Sequence, residues 1–117
     1  MPDIAELMRA NLMDVFDERD AARRRAAIAR TYQPDVVFSD PDEVVTGHHA
    51  LDAKAQKILD EAPAFVFAAE GPLYVNHDLG YQAWGFGPEG DPVVHGMDIA
   101  LVRDGLIAKI YTILINQ

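Results

Sequence analysis

Between Ala64 and Ile115 the chain is a series of short apolar runs separated by breaks too brief for anything but tight reversals. The runs are Ala64–Glu70, Leu73–His77, Gly80–Phe86, Val93–Val102 and Leu106–Ile115. The breaks are Gly71-Pro72, Asp78, the stretch from Gly87 to Pro92, and Asp104-Gly105. A parallel neighbour needs a crossover of about a dozen residues or more, so these runs predict an antiparallel meander of four or five strands. The first half of the chain is then left to cover that sheet.

The first half has the period of helices. Asp3 and Glu6 are spaced as a capping box. Beyond them Ile4, Leu7, Met8, Leu12, Val15 and Phe16 recur on one helical face, with Asn11 as its polar member. Asp20 is placed to cap a second helix running to Arg30. Within it Arg23-Arg24-Arg25 reads as a solvated face, because successive helix residues point in different directions. Gln33-Pro34-Asp35 ends that helix, Val36-Val37-Phe38 reads as a short strand, and Ser39-Asp40-Pro41-Asp42-Glu43 as a turn. A third helix is predicted from just after Thr46-Gly47 to about Asp60, burying Leu51, Ala55, Ile58 and Leu59. Three helices followed by an antiparallel sheet make an α+β fold. At 117 residues the chain is expected to be one domain, 1–117.

The last two strands are apolar on both faces. Ala108, Ile110, Thr112 and Leu114 alternate with Ile107, Tyr111, Ile113 and Ile115; Val94, Ala100 and Val102 alternate with Val93, Met97, Ile99 and Leu101. A sheet with one wet face would alternate apolar with polar. Helices cover one face, so the other is expected to pack against a second copy, giving a homodimer through the sheet.

The formal charge of −9 argues against nucleic acid and against anionic membrane surfaces as partners. The absence of cysteine excludes disulfides and thiol chemistry. No stretch approaches the roughly 20 apolar residues of a membrane span. The start, Met1-Pro2-Asp3-Ile4-Ala5-Glu6, lacks the basic and then apolar pattern of a leader. A soluble, acidic, cytoplasmic protein is the expectation.

The element order and several local motifs resemble the nuclear transport factor 2-like superfamily, and within it the SnoaL-like and ketosteroid-isomerase-like branch. The residues that carry the resemblance are Tyr32, the run Asp35-Val36-Val37-Phe38-Ser39-Asp40-Pro41, and Gly47 before the third helix. Further along they are His77-Asp78, Trp84-Gly85-Phe86-Gly87-Pro88, Gly96-Met97-Asp98 and Arg103-Asp104-Gly105-Leu106-Ile107. The similarity spans nearly the whole chain. It implies a cone in which helices and a curved sheet enclose one deep, mostly apolar pocket. The superfamily includes isomerases, dehydratases, epoxide hydrolases, polyketide cyclases and proteins without catalysis, so the fold alone does not name the reaction.

Asp98 is the foremost chemical candidate, since it stands in a strand of apolar neighbours, where burial raises the pKa of a carboxyl. Asp40, before Pro41, is a turn starter by its local sequence. The resemblance makes Asp40 the proton-moving base and Asp98 the second carboxyl, which donates to a substrate oxyanion. It also implies a tyrosine on the first helix, and this helix has Asn11, Leu12, Val15 and Phe16 instead, which argues against a steroid isomerase. Tyr32, Tyr74 or Tyr81 would have to substitute. His77 is expected at the pocket mouth, while His95 has the opposite strand parity to Asp98. Arg103 sits beside the last turn, a poor fit to an epoxide-hydrolase arrangement. Trp84 and Phe86 share one strand face and are expected to wall an apolar ligand site, with Tyr32 and His77 as further contacts. There is no His–x–x–x–His pattern, so neither a metal nor a cofactor is expected. The sequence therefore points to a pocket for a small, mostly apolar molecule with cofactor-free acid–base chemistry at Asp40 and Asp98. The alternatives are a non-catalytic ligand-binding protein or a dimeric protein-interaction domain of the same fold.

Overall fold

The computed structural model describes residues 2–115; Met1, at the head of the N-terminal stretch considered above, lies outside them. Helix α1 spans Ile4–Arg9 with the expected capping box: the Asp3 carboxylate accepts from the Glu6 N–H, and Glu6 accepts from the Asp3 N–H. It continues into a π-helical stretch, Ala10–Phe16, whose wide turn closes where the Asp17 N–H donates back to the Leu12 carbonyl. Helix α2 spans Ala21–Thr31 and is capped by the Asp20 side chain, which accepts from the Arg23 N–H. Helix α3, His48–Glu61, starts after Gly47, whose φ of +92° suits a residue without a Cβ.

Six strands form one sheet: β1 Tyr32–Ser39, β2 Val44–Thr46, β3 Val66–Asn76, β4 Leu79–Gly87, β5 Val94–Arg103 and β6 Leu106–Leu114, in the order β2-β1-β6-β5-β4-β3. The expected meander is β3 to β6, antiparallel throughout. β1 adds to its far side parallel to β6, and β2 folds back antiparallel on β1. The three helices pack on one face of this curved sheet, burying Leu7, Met8, Leu12, Phe16, Ile28 and Leu51 against Val36, Phe38, Ala100 and Ile110.

The structure departs from the sequence reading in four places. The runs before and after Gly71-Pro72 form one strand. The register shifts between Glu70 and Tyr74, and Gly71 takes φ +73°, so the pair marks a bulge rather than a reversal. A second irregularity falls where β5 and β6 pair, since Leu101 faces Lys109 but Val102 faces Ile107. The extra residue, Ala108, flips the alternation, so Ile107 joins Ile110 in the core, both at 0% exposure, instead of facing out with Tyr111. β1 begins directly at Tyr32, with Pro34 in the part of the strand where pairing to β6 is interrupted.

The fourth departure is Arg24. Arg23 and Arg25 are exposed, but Arg24 is 1% exposed and crosses to α3. Its guanidinium donates to Asp52 at 2.7 Å, to the Glu18 carbonyl at 2.7 Å and to the Gln56 side chain. Successive helix residues point about 100° apart, and of the three it is Arg24 that faces α3.

Among the described residues no helix covers the opposite sheet face, and Tyr74, Tyr111 and Ile113 are exposed there. Among the described residues, no helix is long and apolar enough to cross a membrane.

Candidate functional site

Asp98 lies on the helix-facing side of β5, directly across from Gln82 on β4 and Thr112 on β6. Trp84 follows Gln82 on the same face of β4 and lies opposite Gly96. A Cβ at Gly96 would stand 2.5 Å from the indole Cζ2, so this glycine leaves the space through which the ring leans toward Asp98. The Asp98 carboxylate accepts three hydrogen bonds: Oδ1 from Trp84 Nε1 at 3.0 Å and Thr112 Oγ1 at 2.7 Å, and Oδ2 from Asn11 Nδ2 at 2.8 Å. Asn11 comes from the π-helical stretch, and its Oδ1 accepts in turn from the Tyr32 hydroxyl at 2.5 Å.

Asp98 is 4% exposed, and no cation of the described residues is paired with it. Burial pushes its pKa above the ordinary carboxylate value, while the bonds from Thr112, Trp84 and Asn11 pull the other way. Burial also lifts the Tyr32 hydroxyl well above its ordinary value, with the Asp98 charge adding to the effect, so Tyr32 stays protonated and donates. A carboxylate offers about four acceptor sites. Three are filled here, and the one left is on Oδ2.

In front of Asp98, between sheet and helices, is a cavity of ≈ 180 Å³. Five aromatic residues, Phe16, Phe38, Phe67, Trp84 and Phe86, share its apolar wall with aliphatic side chains. Phe67 stacks on Phe86 with ring centroids 4.1 Å apart and meets Trp84 edge-on at 5.3 Å, while Phe16 stacks on Phe38 at 5.4 Å. Such interlocked rings hold a wall in place more firmly than flexible aliphatic chains would.

A second polar group lines the same cavity at the end of β1. Asp40 Oδ1 accepts from the backbone N–H groups of Asp42 and Glu43 at 2.9 and 3.0 Å, the local turn its sequence predicts. Its Oδ2 is 2.7 Å from Lys54 Nζ on α3, and Lys54 also reaches Glu43 at 3.2 Å. The side chains of Lys54 and Asp40 are only 4% and 9% exposed. Burial opposes the Lys54 charge, but its bonds to Asp40 and Glu43 outweigh that, so its pKa lies above the ordinary lysine value and it is cationic at neutral pH.

Of the residues singled out from sequence, the cavity brings together Asp40, Asp98, Trp84 and Phe86. Tyr32 does not line it. It is fully buried behind Asn11 and reaches the site through that amide. His77 is a correction: it occupies the β3–β4 turn at φ +53°, exposed, and is not on the cavity wall. His95 is on the outer face, as its parity requires, 2.8 Å from Glu70. Arg103 is at the rim of the sheet, paired with Asp35 at 3.2 Å.

Sequence reasoning did not select Lys54, Thr112 or Asn11 as site residues. Each had a signal, since each is a polar residue inside an otherwise apolar stripe. Lys54 falls among Leu51, Ala55 and Ile58, and Thr112 between Ile110 and Leu114. Among the described residues, no group of three or more His, Asp or Glu is arranged to hold a metal.

Residues 10–110 match the family model of the SnoaL-like domain. No curated protein matches the chain. Several solved structures share its fold. A protein of the SnoaL-like family from Agrobacterium tumefaciens, named as a candidate isomerase, superposes with a TM-score of 0.87 at 20% identity, over 94% of this chain and 95% of that one. A candidate polyketide cyclase from Sinorhizobium meliloti gives 0.71 at 20% identity, over 96% and 94%. A candidate ketosteroid isomerase from Kribbella flavida gives 0.72 at 19% identity, over 95% and 76%.

Proposed function

The chain belongs to the SnoaL-like domain family, and from that premise we propose that its cavity performs cofactor-free acid–base chemistry of the isomerase or cyclase type. The substrate is a small, mostly apolar carbonyl compound, and Asp98 is the base. The observation that carries this reading is the state of Asp98: a buried carboxylate on the cavity wall, fixed by three neutral donors, unpaired with any cation among the described residues, and with one acceptor site open. Burial without a counter-ion makes a carboxylate more basic, and three donors fix its direction.

Asp40 fits the role of base less well, since its oxygens are engaged by the turn and by Lys54. The roles that the family resemblance implies for the two carboxyls are therefore exchanged. In the proposed step Asp98 Oδ2 takes a proton from a carbon next to a carbonyl and later returns it to another atom of the substrate. Thr112 and Trp84 keep donating to Oδ1, which stays an acceptor while Oδ2 carries the proton.

The cavity also sets a size. At ≈ 180 Å³ it is close to the roughly 150 Å³ engineered cavity that holds benzene. One ring fills it, and a steroid would have to extend beyond it.

The test is proton exchange at carbon. One-ring ketones are incubated in D₂O with wild type and with Asp98→Asn, and loss of the α-proton signal is followed by NMR. Wild type is expected to exchange at least one compound, and the variant to be slower by about a hundredfold or more. Binding without exchange across the panel would replace this reading with a ligand-binding protein. The ion pair of Asp40 with Lys54 and the two bonds on Asp98 Oδ1 favour that second reading.

A further inference from the structure

Lys54 is the one cation among the described residues that line the cavity. A lysine on a helix ordinarily extends its stem along apolar surface and leaves its ammonium in water. Here α3 turns the side chain inward, and the ammonium is buried between the end of β1 and the cavity. An ammonium has three donors. Asp40 and Glu43 take two, and among the described residues the third has no partner. The two carboxylates keep the charge on Lys54 without using up its capacity to donate.

Asp98 approaches the same cavity from β5, on the sheet side, and Lys54 from α3, on the helix side. A ligand the size of one ring therefore has a carboxylate base on one wall and a cationic donor on the other. We infer that Lys54 is a second catalytic residue, whose remaining N–H receives the carbonyl oxygen of the substrate and holds the negative charge that develops there. The inference rests on the reading of Asp98 as base and extends it to the substrate.

The step balances within the cavity. The C–H bond next to the carbonyl breaks and its proton goes to Asp98 Oδ2. Its electron pair forms the C=C bond of an enolate, and the carbonyl π pair moves onto the oxygen facing Lys54. Lys54 keeps its proton, and nothing is oxidised or reduced. As the enolate gains its charge, Asp98 loses one, so the net charge inside the cavity does not change.

The same accounting selects the substrate class. Asp40, Asp42 and Asp98 line the cavity against one lysine, so a ligand that arrives as an anion is repelled. The substrate is an uncharged one-ring ketone, and its anion exists only between the two walls.

4-Nitrophenol is a one-ring mimic of such an enolate, and its colour reports its ionisation. Below its own pKa it can be held as phenolate by passing its proton to Asp98, as the substrate would. Wild type is expected to bind it as phenolate. Lys54→Met should lose roughly tenfold or more of that affinity and hold the neutral phenol instead. Its α-proton exchange should fall by about a hundredfold. Glu43→Gln removes one of the two carboxylates on Lys54, leaving more of its charge for the ligand. It should bind phenolate several-fold tighter, and it tests the idea even where Lys54→Met does not fold. Phenolate binding that is unaltered in Lys54→Met, or no tighter in Glu43→Gln, would overturn the role of Lys54. Exchange undiminished in Lys54→Met would overturn it too, leaving the base intact. Lys54-dependent phenolate binding in a wild-type protein that exchanges no ketone would overturn the base reading alone.

Discussion

Asn11 has two polar ends, and both are committed: one donates to Asp98 and the other accepts from Tyr32. Replacing it with leucine leaves a buried hydroxyl and a buried carboxylate each short of a partner. Asn11→Leu is expected to lower stability by about 2 kcal/mol or more in urea denaturation. It also removes a bond that lowers the Asp98 pKa, so the acid limb of the exchange rate should move to higher pH than in wild type. In wild type that limb should already lie above the ordinary carboxylate value of about 4. Stability carries the same signature with the opposite slope. Between the ordinary value and the raised folded value, the unfolded chain gives up its Asp98 proton before the folded one does. Stability contributed by this residue is thus lost as pH rises through that window. Asp98→Asn has no such loss, so whatever stability it lacks beside wild type at pH 4 should shrink by neutrality when the two are unfolded in parallel.

At the scale of elements, the sequence was most legible where one local rule acts alone. Capping by Asp3 and Asp20, the start of α3 after Gly47, and the meander with its tight turns all follow from neighbouring residues. It was least legible where two rules share one signal. Gly71-Pro72 reads equally as a turn or a bulge, and only pairing with β4 decides it. The bulge at Ala108 has no local mark, so strict alternation places Ile107 on the wrong face. The site was legible in its carboxyls and its tryptophan, because a charge or an indole in an apolar strand is conspicuous. Lys54 is not conspicuous in this way, because a lysine on a helix is usually solvated; its pairing with Asp40 depends on how α3 packs against β1.

Two substitutions probe the elements. Arg24→Met breaks the buried tie between α2 and α3 and should cost about 3 kcal/mol by thermal or chemical unfolding. Gly96→Ala drives a methyl into the Trp84 ring and the Ile113 carbonyl. It should cost about 1–3 kcal/mol and change the tryptophan emission, because the indole is displaced from Asp98. An unchanged spectrum with unchanged stability would mean the ring has room to spare.

For the molecule as a whole, the helices account for one face of the sheet only. The other carries Met97, Ile99, Tyr111 and Ile113 on β5 and β6, with Tyr74 and Tyr81 in ring contact beyond them. We propose that this face packs against a second copy of the chain. Light scattering at micromolar concentration should give twice the mass of the chain, and Ile113→Lys should give the monomer. Ile113 does not line the cavity, so the monomer should still bind the same ligands. A wild-type monomer would leave the apolar face without this explanation.

The parallel pairing of β1 with β6 also bears on how the chain reaches this shape. During synthesis β1 leaves the ribosome long before its partner exists, because Val37 pairs with Lys109 across most of the sequence. Until β6 emerges, β1 has only the short β2 beside it, and the aromatic wall has no floor to close on. Contacts so distant in sequence make folding slow relative to helical proteins of similar size. The interval before β6 arrives is when a chaperone would find the most exposed apolar surface to hold.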